Sequence, residues 1–158
     1  MDRSQIAALI DDYLVDATLP AQSIAGLTKE DLLAFPIPGT WSIQQIVMHL
    51  MDSDLIASDR MKRTAAEENA QILAYDESAF AKNLPYDRLD ADLACELFRL
   101  NRTMTAAMLR ELPHEAFGRV GQHSERGPES LYQLLEIYVE HVRYHVRFIE
   151  KKRRLLGK

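Results

Sequence analysis

From Ser130 onward the apolar residues of this chain recur with the period of an α-helix. Leu131, Leu134, Leu135, Tyr138, Val142 and Ile149 fall within one stripe of about 100°, and Glu136, Glu140, Arg143 and Arg147 lie opposite. A stripe that wide must be covered by other elements, so this helix has to pack along much of its length. Its start is marked by Pro128 and by Ser130 with Gln133 three residues on, the spacing of a capping box. Two histidines, His141 and His145, lie inside the stripe, four residues and one turn apart.

Three more helices can be read. Ile6, Leu9, Ile10, Tyr13 and Leu14 place one over residues 4–17, stopped by Pro20. Ser42 and Gln45 form another capping box, with Trp41 and Ile46 at the positions of a hydrophobic staple, so the second helix starts there. Its apolar face carries Ile46, Val47, Leu50, Ala57 and Met61, with Asp54 inside the stripe and His49 on its edge. Leu93, Leu97, Leu100, Met104 and Met108 step by threes and fours and suggest an inward face for a third helix over residues 90–112, ended by Pro113. On that reading Cys95 points away from the core.

The connections at residues 21–39, 70–88 and 117–127 are irregular, with short helical turns at 28–33 and 77–82 and a glycine-bounded polar loop at 117–127. With no convincing run of alternating apolar and polar residues, the expected fold is all-α, a four-helix bundle with long connections, in one domain over residues 1–158. The loops are too long to give the order in which the helices run up and down.

Hydrophobic residues make up 47% of the chain and charged residues 27%, which fits a folded globule rather than a disordered chain. The net charge of −5 argues against a nucleic-acid partner, and Lys151, Lys152, Arg153 and Arg154 are read as cations at a helix C-terminus. A single cysteine rules out an intrachain disulfide, and neither a signal segment nor a membrane span of about 20 apolar residues is seen. A cytoplasmic protein with no membrane partner is the expectation.

Histidines at i and i+4 can bind one metal ion together, and His49 supplies a third imidazole from a helix that must pack against theirs. Three neutral histidines suit Zn²⁺, Ni²⁺ or Fe²⁺ and leave a position open for water or substrate. A carboxylate on an apolar face needs a partner. Asp54 is therefore read as orienting a ligand histidine, with Asp52 as its competitor and a salt bridge to an arginine such as Arg102 as the alternative. His123 reads as an exposed loop histidine; the alternative is that its loop folds over the metal site, so that His123 or Glu125 meets substrate.

Trp41-Ser42, His49-Leu50-Met51-Asp52-Ser53-Asp54, Ala74-Tyr75-Asp76-Glu77, Leu97-Phe98-Arg99, His123-Ser124-Glu125-Arg126-Gly127 and His141-x-x-x-His145 together resemble the DinB/YfiT-like superfamily of metal-dependent enzymes. The resemblance implies a four-helix bundle, often a homodimer, with a divalent metal, Zn or Ni, on His49, His141 and His145. It also implies a small-molecule substrate and either hydrolysis or thiol S-transfer using a low-molecular-weight thiol. A non-catalytic, stress-related bundle for binding or dimerisation is the alternative.

Overall fold

The computed structural model describes residues 2–158. Among them are four long helices, α1 (Arg3–Val15), α4 (Ile43–Ala66), α6 (Ala91–Glu111) and α7 (Leu131–Leu155). Three short ones, α2 (Leu19–Ile24), α3 (Lys29–Leu33) and α5 (Glu77–Asn83), lie in the connections. No helix among the described residues is long and apolar enough to cross a membrane.

The starts of the long helices follow from their side chains. Ser42 Oγ accepts from the Gln45 N–H at 3.1 Å while the Gln45 carboxamide accepts from the Ser42 N–H at 2.9 Å, and Ser130 with Gln133 repeats the arrangement. Asp2 does the same for α1 through Gln5. The first helix ends earlier than its apolar pattern suggests, at Val15. Pro20 sits in the first turn of α2, where its missing N–H costs nothing, so it opens a helix rather than closing one.

Contacts between the long helices give the order that the loops conceal. Gln44 reaches the carbonyls of Tyr86 and Leu89 and Asp54 reaches Arg102, so position rises along α4 and α6 together and the two are parallel. His49 meets His141 while Arg60 meets Tyr138, so α7 runs against α4. Arg110 pairs with Asp11 and Arg102 donates to the Tyr13 carbonyl, so α1 runs against α6. The order is up, down, down, up, and the parallel neighbours α4 and α6 require a connection that returns along the whole bundle. That requirement explains the long segment between them.

Two regions depart from the reading of the sequence. The polar stretch after residue 117 is a hairpin, β2 (Val120–His123) and β3 (Gly127–Ser130), joined in parallel by β1 (Gln71–Ile72) in the order β1-β2-β3. Its strands are only two to four residues long, too short for alternation to register. The small sheet lies tight against α4: a Cβ on Gly121 would stand 2.5 Å from Ile72 Cδ1 and 2.7 Å from Thr64 Oγ1.

The second departure is α6, which is turned about. Leu93, Leu97, Leu100 and Met104 are 67, 41, 46 and 71% exposed, and the buried face is Ala94, Cys95, Phe98, Arg102, Thr105, Ala106 and Leu109. Cys95 lies in the core.

The apolar core has two parts. One gathers Ile46, Val47, Leu50, Phe98, Val142 and Ile149, the other Ala57, Met61, Leu109, Leu131, Leu135 and Tyr138. Between them in sequence on α4 and α6 fall Asp54 and Arg102, a buried polar layer. Central to everything is α4, buried on nearly all sides of its first two turns.

Candidate metal centre

His49 projects from the second turn of α4, and His141 and His145 from successive turns of α7. The antiparallel packing of these helices brings the three rings together. The Nε2 atoms of His49 and His141 stand 3.1 Å apart, and one ring nitrogen from each of the three lies within 4.8 Å of the others. Ring centroids are 4.6 to 5.1 Å apart. Trp41, which opens α4, covers His49 with its ring centroid at 4.9 Å.

Burial holds all three imidazoles neutral at ordinary pH. Loss of solvation, with the charge on His145 adding to it, pulls His49 down to about 3. The same cause, with His145, His49 and Arg102 adding to it, takes His141 to about 2, and burial takes His145 to about 4. Neutral rings offer lone pairs. Two nitrogens at 3.1 Å cannot both carry a proton there, so the geometry suits a shared cation, and the donor set of three imidazoles fits a first-row divalent ion.

The Tyr75 hydroxyl lies 3.3 Å from His49 Nδ1, placed to accept that N–H and leave the Nε2 lone pair facing the other rings. Burial raises the Tyr75 phenol to about 12, so it stays protonated. Glu77, at the N-terminus of α5, brings a carboxylate oxygen 3.7 Å from His49 Nε2. Neither Tyr75 nor Glu77 emerges from helix periodicity, although both sit in the Ala74-Tyr75-Asp76-Glu77 stretch.

A cleft of about 600 Å³ opens beside His141. Ser53, Arg60, Tyr75, Glu77, His123 and Tyr138 line it, with Glu125 and Arg126 at the exposed rim. Arg60 stands eleven residues beyond His49, three turns along α4 and about 20° round, so one helix face carries His49 at the histidine cluster and Arg60 in the cleft. On the other side, His145 borders a recess of about 230 Å³ with Trp41, Tyr144 and Phe148.

The remaining expected site residues are placed differently. Asp54 does not orient a histidine. Its carboxylate accepts from Arg102 Nε at 2.8 Å, Asn101 Nδ2 at 2.8 Å and the Tyr13 hydroxyl at 3.3 Å, which is the arginine bridge that stood as the alternative. Asp52 accepts instead from the Tyr86 hydroxyl. His123 is not an exposed loop residue: it ends β2, is 2% exposed and lines the cleft, because pairing with β1 and β3 draws the segment down onto α4 and α7.

A profile of the DinB superfamily matches residues 17–149. The chain belongs to the DinB superfamily. Among relatives in the superfamily, a Bacillus licheniformis protein provisionally named a metal-dependent hydrolase is 29% identical over 157 residues, 99% of this chain and 89% of its own. A similarly named protein of Oceanobacillus iheyensis is 29% identical over 127 residues, 80% of this chain and 73% of its own. The solved structure of YfiT from Bacillus subtilis, described as a probable metal-dependent hydrolase with an unusual four-helix bundle topology, superposes with a TM-score of 0.93 at 25% identity. The match covers 99% of this chain and 90% of that one. The four-helix bundle described above is thus shared with a solved structure of a probable metal-dependent hydrolase.

Proposed function

We propose that the protein is a metal-dependent enzyme in which His49, His141 and His145 hold a divalent ion, zinc or nickel, and act on a small molecule bound in the adjoining cleft. The observation that carries this reading is the convergence of three neutral imidazoles, one of which, His141, lines a cleft large enough for such a substrate. When bound, the ion supplies a nucleophile at neutral pH by acidifying water or a thiol.

The surrounding side chains have separate tasks. Tyr75 fixes the ring of His49. The Glu77 carboxylate, 3.7 Å from His49 Nε2, is placed to take the proton that the nucleophile gives up, and Glu125 at the rim meets the outer part of the substrate. Hydrolysis and thiol transfer both fit this arrangement. In the second case the thiol comes from solution, because Cys95 is buried in the core away from the cleft and its thiol is pushed up to about 12.

The test is to incubate zinc- or nickel-loaded protein with a panel of small esters and amides, and with electrophiles plus glutathione, bacillithiol or mycothiol. Turnover should appear in one set, fall at least about 100-fold in Glu77→Gln while metal content is kept, and vanish in His145→Ala. Retained metal with no turnover in any set would favour a non-catalytic binding bundle.

A homodimer is proposed as well, and α6 supports it. Leaving Leu93, Leu97, Leu100 and Met104 in water forgoes up to roughly 1.5–3 kcal/mol for each side chain that a partner could bury. Their spacing of four, three and four reads the same in both directions. A second α6 packed antiparallel would set Leu97 against Leu100 of the partner subunit and Leu93 against Met104 of the partner subunit. Glu96 and Arg99 pair with each other on one flank of α6, so that flank brings no net charge to the seam. Sedimentation velocity should find a dimer that L97E/L100E converts to a folded monomer. A monomeric wild-type protein at micromolar concentrations would dismiss the pairing.

A further inference from the structure

Two residues that line the cleft, Arg60 and His123, each carry a buried donor without an acceptor among the described residues. Arg60 is 5% exposed. Its Nη1 donates to the Tyr138 hydroxyl at 2.7 Å and its Nη2 to the Leu73 carbonyl at 2.5 Å, while Nε is buried without a partner. Of the five N–H groups of a guanidinium, two are engaged. No carboxylate among the described residues forms an ion pair with it. The nearby buried carboxylate, Glu129, is bound through both oxygens to Arg126. A buried cation with no counter-ion is costly, and folds ordinarily avoid it.

His123 points to the same chemistry by an independent route. The backbone N–H groups of Glu125 and Arg126 aim at its Nδ1 from 3.2 and 3.3 Å, and a nitrogen that accepts from an N–H carries no hydrogen of its own. The ring hydrogen therefore sits on Nε2, and Nε2 is buried with no acceptor. The residues that carry these two unmatched donors, one of them cationic, line a single cleft with His141. The carboxylates of Asp76, Glu77 and Glu125 also line it, but they are exposed, where water and salt weaken their repulsion of an incoming anion.

We propose that Arg60 and His123 form an oxyanion subsite that receives the carboxylate or phosphate group of a small substrate whose reacting end lies at the three histidines. This rests on reading the cleft as the substrate's, and does not require the metal. Arg60 Nε–H with a free Nη hydrogen presents a fork to two oxygens, and His123 Nε2–H adds a third donor. The substrate class is then a small organic acid or phosphate ester, with the bond to be attacked set apart from its anionic end.

The test uses the metal-free, full-length, ¹⁵N-labelled protein titrated at constant ionic strength with succinate, with inorganic phosphate and with dimethyl succinate. The Arg60 Nε–H resonance is identified by its absence from Arg60→Lys. It should move saturably with succinate or phosphate and stay still with the uncharged ester, and His123→Phe should weaken the same binding about tenfold. Movement with succinate alone assigns a carboxylate, and with phosphate alone a phosphate ester. A resonance that neither anion moves, or equal affinity in His123→Phe, overturns the subsite. Since no metal is present, a chain that shows this shift but fails to bind zinc keeps the subsite and loses the proposed metal reaction. A chain that binds zinc without the shift does the reverse.

Discussion

Metal-loaded protein should melt well above its chelated form, and His141→Ala, His145→Ala and His49→Ala should each abolish most of the difference. An ion bound only by the native state stabilises by RT ln(1 + [L]/Kd), about 4 kcal/mol at a thousandfold excess over Kd. The reading comes from calorimetry with and without chelator, together with metal content after purification without a histidine tag. Equal melting of loaded and chelated protein would remove the ligand assignment. The pH dependence has a definite sign. In the metal-free fold the three histidines titrate at about 3, 2 and 4, against about 6.5 when unfolded. Below about pH 6.5 the unfolded chain takes up protons that the folded chain refuses. Stability is therefore fully present above pH 6.5 and declines as the pH falls toward 4, with a slope of up to about 1.4 kcal/mol per pH unit for each histidine. Protons also compete with the ion for the imidazoles, so the metal's own contribution should disappear in the same direction.

The histidine centre was legible because it depends on angular position along α4 and α7, which the sequence encodes at 100° per residue. Helix starts were legible for the same kind of reason, since Ser42 with Gln45 and Ser130 with Gln133 act within a single turn. The cleft was not. Its walls include β1 and β2, whose two and four residues carry too few side chains to show a period, so His123 read as a loop residue. Arg60 was within reach, being on the face of His49, but an arginine at a helix edge is ordinarily solvated, and only the fold reveals its burial.

The rotation of α6 shows where periodicity misleads. Leu93 and Arg102 are nine residues and about 180° apart, so inward leucines and a bridge from Arg102 to Asp54 are mutually exclusive. Apolarity alone favours the leucines. Three features tip the balance the other way. Ala94 and Ala106 are small and buried on the chosen face, Phe98 and Leu109 give it apolar bulk, and Asp54 presents a buried charge that needs a cation. A dimer covering the leucines would remove the remaining conflict, which connects the exposed stripe to the buried pair.

Arg102→Met and Asp54→Asn should each cost about 3–5 kcal/mol in urea unfolding, among the largest single-residue effects in the molecule. Both side chains are 1% exposed, and removing one strands the other's charge in the core. Arg102 is held from several sides. It lies 4.2 Å from the Tyr13 ring centroid and 4.5 Å from that of Phe98, and it donates to the carbonyls of Tyr13 and Tyr138. The bond to the Tyr138 carbonyl ties α6 to α7 one turn before His141, so loss of Arg102 should also loosen the metal centre. Asp54→Leu combined with Arg102→Met leaves no stranded charge and should recover much of the stability, because an apolar replacement of a buried pair is often neutral or better. Metal affinity in that double variant separates the two roles: if stability returns while affinity stays low, the pair positions α7 as well as stabilising the core. Single variants that lose less than about 1 kcal/mol would place Asp54 and Arg102 among ordinary polar contacts and undo the account of why α6 turns its leucines outward.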